Sequence, residues 1–235
     1  MKLSFLRPTI ILAAIIGIAL TACGGKAQFD IGGDMVAPDP VTGADVVTPL
    51  PFGGLVLTNS KNGATVSIPA NARNYKFPSA ISYGEEYAVT VSTPPENMVC
   101  LPLNASDTAG RLATIKVNVR CGLLDFAVGG TVTGLPAPTY NTATPPVMTS
   151  KQLVIINGSD TTSGAVIALP TGTAAGAPFQ WAFPVRVPYG SSYGLTIQTQ
   201  PTGAFCTIVN GVGTVRQARG VEITNVNITC VATIG

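Results

Sequence analysis

Few residues in this chain could do acid–base or covalent chemistry. There is no histidine among its 235 residues, so a histidine base and histidine metal ligands are both excluded. Gly190-Ser191-Ser192-Tyr193-Gly194 has the spacing of a nucleophile elbow. A serine nucleophile needs a base within hydrogen-bond reach, usually imidazole, so the segment reads as a turn entering a strand. Glycoside hydrolysis needs two carboxyl groups about 5 to 10 Å apart. Glu85 and Glu86 are neighbours and point to opposite faces of a strand, while residues 126–235 hold only Asp160 and Glu222. Asp34, Asp39 and Asp45 lack the spacing of a calcium loop. Phe179, Trp181 and Phe183 alternate and share one face. Such a row supplies a core, or, if exposed, a platform for sugar rings at Trp181. The remaining reactive groups are Cys23, Cys100, Cys121, Cys206 and Cys230. These residues point to no catalytic site, no metal and no cofactor.

The composition narrows the class further. Charged residues make up 10% and hydrophobic ones 46%, and the mean hydropathy is +0.40, which excludes a disordered chain. Thirteen basic against eleven acidic side chains leave no excess to neutralise phosphates, so nucleic acid is not a partner. With 26 glycines and 19 prolines, the chain must contain many turns.

Residues 1–22 read as a secretory signal peptide. Lys2 and Arg7 form its basic start, and Ile10 to Leu20 is an apolar run too short to span a bilayer. The run ends in Leu20-Thr21-Ala22-Cys23, which resembles the lipobox of bacterial lipoproteins. The resemblance implies cleavage before Cys23, a thioether-linked diacylglycerol on its sulfur and acylation of the new amine. Gly24, in place of an aspartate, implies the outer membrane, with the membrane as a partner through the lipid. Lipidation removes the odd cysteine and leaves two pairs for an exported chain. Removing Lys2 and Arg7 leaves 11 basic and 11 acidic side chains.

Beyond the anchor, residues 23–50 carry Asp30, Asp34, Asp39 and Asp45 against Lys26, with many glycines and prolines, and are expected to form a flexible tether. The rest is duplicated. Tyr83 to Pro95 aligns with Tyr189 to Pro201, Phe77-Pro78 with Phe183-Pro184, and Cys100 with Cys206, all 106 positions apart. Leu55-Val56-Leu57 matches Leu153-Val154-Ile155, and Val117 to Cys121 matches Val226 to Cys230. Period-two alternation in Glu86 to Ser92, Ser192 to Gln198, Ile115 to Cys121 and Ile223 to Cys230 predicts strands. The fold class expected is therefore all-β: two tandem immunoglobulin-like sandwiches over 51–125 and 126–235, with a small barrel as the alternative. Cys100 and Cys121 fall on the last two predicted strands of the first repeat, Cys206 and Cys230 on those of the second. Each pair is expected to bridge its own hairpin and to stabilise it by about 3 kcal/mol.

Gln200-Pro201-Thr202-Gly203-Ala204-Phe205-Cys206, Asn210-Gly211-Val212-Gly213 and Val226-Asn227-Ile228-Thr229-Cys230 together resemble a repeat of exported bacterial lipoproteins and surface proteins. The resemblance implies immunoglobulin-like envelope modules and no activity. The function expected is a non-enzymatic, lipid-anchored envelope protein, periplasmic or surface-facing, that presents these modules to a protein or glycan for surface adhesion or protein–protein interaction. The alternatives are a carbohydrate-binding module and an accessory structural subunit of an envelope complex. Recognition is expected on loops, chiefly the uncharged Ala137–Ser150 segment with Tyr140, and residues 170–178. The 137–150 segment is read as lacking secondary structure and as one of several lengthened loops of the second repeat, with a solvated Thr/Pro-rich spacer as the alternative to a recognition loop.

Overall fold

Alternation along Glu86–Thr93 buries Tyr87 and Val89, and along Ser192–Thr199 it buries Tyr193 and Leu195. The computed structural model describes residues 26–111, 114–158 and 164–233, and among these every regular element is a strand. The signal peptide expected over 1–22 and the lipidated Cys23 lie outside the described residues.

Both repeats use the same strand order. In the first, one sheet runs Ala64–Ile68, Leu55–Asn59, Glu86–Thr93, Ser106–Thr108. The opposing sheet runs Asn74–Lys76, Ile31–Pro38, Val119–Leu123, Met98–Pro102. In the second, the sheets run Ala165–Ile167, Leu153–Asn157, Ser192–Thr199, Val212–Thr214, and Phe179–Ala182, Gly129–Thr133, Asn227–Ala232, Ala204–Val209. In each repeat the first strand pairs parallel to the last, and side chains from both sheets form one apolar layer. Buried apolar residues accordingly fall into two clusters, one drawn from residues 31–121 and one from 126–230.

The expected tether over 23–50 is not a tether from Gln28 onward. Ile31–Pro38 is a central strand, with Ile31 and Met35 each 1% exposed and Leu50 buried behind it. The acidic charge that suggested a solvated linker is neutralised by the strands beside it. Asp30 meets Lys76 at 2.8 Å, Asp34 meets Lys116 at 2.7 Å and Asp45 meets Arg120 at 2.6 Å. Asp39 accepts the backbone N–H groups of Thr42 and Val41, which hold its carboxyl below the usual range. The glycines permit close packing. A Cβ on Gly33 would stand 1.9 Å from the Val117 carbonyl oxygen, and one on Gly130 would stand 2.2 Å from that of Val226.

Other boundaries also shift. The run Ile115 to Cys121 is broken into Ile115–Lys116 and Val119–Leu123. The break serves the core: the Val117 carbonyl accepts the Tyr75 hydroxyl, and the Asn118 side chain accepts the Asp34 N–H. In the second repeat Ile223 makes only an isolated bridge to Val128, and the strand is Asn227–Ala232. Residues 137–150 are not structureless. They fold back as an irregular hairpin, with Tyr140 bridged to Met148, Asn141 N–H donating to Val147 O, and Thr149 N–H to Thr139 O. Nor is this connection an insertion, because residues 39–54 join the equivalent strands of the first repeat.

Candidate functional site

The cysteines sit directly opposite one another across antiparallel strands. Cys121 is the register partner of Cys100, and Cys206 that of Cys230. Both pairs are joined as disulfides, Cys100–Cys121 and Cys206–Cys230. Each closes its own repeat, and together they leave no described thiol for chemistry.

Trp181 does not form a sugar platform. It is 8% exposed and its indole N–H donates to the Val226 carbonyl oxygen at 3.0 Å. Its counterpart Tyr75 makes the equivalent bond to Val117 O at 2.7 Å. Phe183 and Phe77 are buried next to them. The row belongs to the core because its strand is covered by the facing sheet, and an aromatic with a polar tip can satisfy the one carbonyl left free by the broken strand. Ser192, the serine of the elbow-like segment, lies 3.1 Å from the Thr214 hydroxyl at a strand start. Among the described residues, no group of three or more acidic or cysteine side chains is placed to hold a metal.

Tyr140 is 54% exposed. With Met148 it forms one wall of a groove of about 170 Å³ whose floor includes Leu153 and Ile167 and whose rim includes Leu169 and Thr202. Trp181 takes no part in it. Residues 170–178 support the groove from behind: Gly176 N–H donates to Leu135 O, and Gly134 N–H to Gly176 O. Lys151 closes the opposite side by exchanging hydrogen bonds with Thr202, donating its N–H to the Thr202 hydroxyl and accepting from the Thr202 N–H. The groove can offer an apolar floor, a phenol hydroxyl and backbone groups, a set suited to binding a chain segment.

Its location follows from strand direction. The chain enters the first repeat at Gln28. Val119–Leu123 runs parallel to Ile31–Pro38 and so leaves at the far end. The second repeat starts there, and Gly129–Thr133 carries the chain on to the hairpin. The groove therefore stands at the end of the molecule opposite the point where the described chain begins.

The junction between the repeats has its own contacts. Tyr189 packs edge-on against Phe52 at 5.9 Å and lies against Phe126 at 6.5 Å. Arg219 donates to the carbonyl oxygens of Met98 and Pro95. Leu124 N–H donates to Asn97 O, and Tyr189 N–H to Leu124 O. Arg186 bonds Asp125 and Glu222, and Glu222 with Asp125 holds its guanidinium pKa above the ordinary value. The sequence offered a signal for this junction that composition hid: Tyr189 has a counterpart at Tyr83.

No family model and no curated protein matches the sequence. Among solved structures the chain is similar to the major pilin protein T3.2 of Streptococcus pyogenes serotype GAS13637, at 10% identity and a TM-score of 0.24, covering 87% of this chain and 96% of that one. It is likewise similar to the major pilin protein T-13 of serotype GAS131465, at 10% identity and a TM-score of 0.23, covering 88% and 96%. At those TM-scores the likeness adds nothing to the strand order described above.

Proposed function

We propose that this chain is a non-enzymatic, lipid-anchored protein of the bacterial cell envelope, carried on the outer membrane by Cys23, whose two sandwich modules hold out the groove beneath residues 137–150 to a protein or glycan partner. The observation that carries the reading is position. The groove with Tyr140 stands at the far end from Gln28, and Gln28 follows the lipobox-like Leu20–Cys23 by five residues. A rigid scaffold with recognition at its outermost loops is the arrangement used by sandwich domains that bind partners. A second reading, an accessory subunit of an envelope complex, is favoured by an exposed apolar pair: Phe205 and Val231 face each other on the outer surface of the second repeat.

Two variants in intact cells test the proposal. Cys23→Ser is expected to lose palmitate label and to leave the membrane fraction, and normal labelling of that variant would refute the anchor. Replacing 137–150 with a short Gly-Ser turn is expected to abolish partner crosslinking while leaving the Tm within a few degrees. Undiminished crosslinking, lost instead on Phe205→Ser, would transfer the function to the outer sheet face.

A further inference from the structure

Tyr83 and Arg111 occupy the end of the first repeat where the described chain begins. Tyr83 N–H donates to Ala27 O, and the strand Gln28–Phe29 pairs with Ile81–Ser82 beside it. Tyr83 is 63% exposed, its ring lying over Gly110, where a Cβ would meet the ring at 2.4 Å. The matching end of the second repeat is a contact face. Tyr189 aligns with Tyr83 at an interval of 106, and Arg219 lies four residues before Ile223 as Arg111 lies four before Ile115. Tyr189 packs on Phe52 and Arg219 binds two carbonyl oxygens of the preceding repeat. The fold therefore builds a docking face at the leading end of each repeat. Among the described residues, no preceding repeat covers it in the first repeat.

We infer that the leading face of the first repeat, with Tyr83 and Arg111 at its centre, rests on the headgroup layer of the membrane that carries the anchor. The inference rests on the lipidation of Cys23 proposed above. Three residues separate Cys23 from Ala27, and the four Cα–Cα steps between them reach at most about 14 Å. The polar layer on one side of a bilayer is about 5 to 8 Å deep. The disappearance of the expected tether over 23–50 therefore places this face against lipid. Its chemistry suits that position. A tyrosine ring sits well at a membrane–water boundary, and a guanidinium that binds carbonyl oxygens in one repeat can bind phosphate oxygens in the other. Charge does not drive the contact: Lys61, Lys76 and Arg111 at this end are paired with Glu86, Asp30 and Asp107. The short connection does, so zwitterionic lipid suffices.

The full lipidated chain in phosphatidylcholine vesicles tests this. Trp181 is the sole native tryptophan and is buried, so Tyr83→Trp and Tyr140→Trp add reporters at the two ends. Brominated lipid is expected to quench most of the added emission at position 83 and none at 140. A Gly-Ser spacer of about 20 residues after Gly25, with a mean span of about 25 Å, is expected to restore the emission at 83. Vesicle flotation is read in parallel. A chain that fails to float overturns the anchor itself. A chain that floats without quenching at 83 overturns only the membrane face, as does quenching that the spacer leaves unchanged. Quenching absent at 83 but with Tyr83-dependent crosslinked dimers would assign the face to a second copy.

Discussion

At the scale of single residues, the duplicated sequence keeps contacts more faithfully than residue types. Tyr75 and Trp181 differ in chemistry, yet each donates one hydrogen bond to the matching carbonyl, Val117 O or Val226 O. Asn59 and Asn157 likewise each accept a backbone N–H from the neighbouring strand, from Ala88 and Gly194. A buried carbonyl without a donor costs about 1 to 3 kcal/mol, which is why the donor persists while the ring changes. Tyr75 makes this testable by pH. Burial raises its phenol pKa well above the ordinary value. With the folded pKa above the unfolded value of about 10, the stabilisation is complete below about pH 10 and falls as pH rises beyond it, by about 1.4 kcal/mol per unit. In urea unfolding at pH 7, Tyr75→Phe is expected to be less stable than wild type by about 1 kcal/mol. That gap should close near pH 11, because the variant has no phenol at this site to ionise. Curves that stay parallel from pH 7 to 11 would show that the Tyr75 hydroxyl carries no such linkage.

At the scale of elements, legibility depended on whether the stabilising partner was local. Glu86–Thr93 and Ser192–Thr199 were readable because alternation states burial directly, and the cysteine pairs were readable because each lies on two strands of one repeat. Tyr140 was readable as an exposed side chain but not as the wall of a groove, since its hairpin is held by Asn141 and by backbone bonds that composition does not display. Ile31–Pro38 was misread because everything that makes it a strand is remote. Asp34 finds Lys116, Asp30 just before the strand finds Lys76, and its glycines face the Tyr75 and Val117 carbonyls. One clue was present: Phe29-Asp30-Ile31-Gly32-Gly33 repeats as Phe126-Ala127-Val128-Gly129-Gly130, 97 positions on. If those glycines are there for close approach, their substitution must be costly. Gly33→Ala forces a Cβ into a backbone carbonyl and is expected to destabilise the first repeat by more than about 3 kcal/mol. Gly122→Ala, with nothing within 4 Å of the added carbon, should be neutral or slightly stabilising. Equal melting temperatures for the two variants would mean that the first strand can move away from Val117 without penalty.

At the scale of the whole molecule, a groove at one end is useful only if the repeats hold a fixed angle. Two modules joined by a short link reorient freely unless their interface is substantial. Here the link is short, since the first repeat's last strand ends at Leu123 and the second repeat's first paired residue is Asp125. Three further contacts act on it: the Phe52–Tyr189 ring pair, the Arg219 bonds to Pro95 and Met98, and the Asn97–Leu124 backbone bond. An edge-on aromatic pair contributes about 0.5 to 1.5 kcal/mol beyond its buried area, and each hydrogen bond to a charged donor about 1.5 to 3 kcal/mol. The sum is enough to hold one orientation against thermal motion but small beside the stability of a core. Phe52→Ala combined with Arg219→Ala is therefore expected to leave both cores folded, with two intact disulfides and a nearly unchanged Tm. The same double variant should broaden the distribution of pair distances in small-angle scattering, as the second repeat swings about residues 123–125. It should also weaken partner crosslinking at Tyr140, a residue neither change touches. A double variant with the wild-type scattering profile would show that the link alone fixes the angle and that the contacts of Tyr189 and Arg219 serve something other than rigidity.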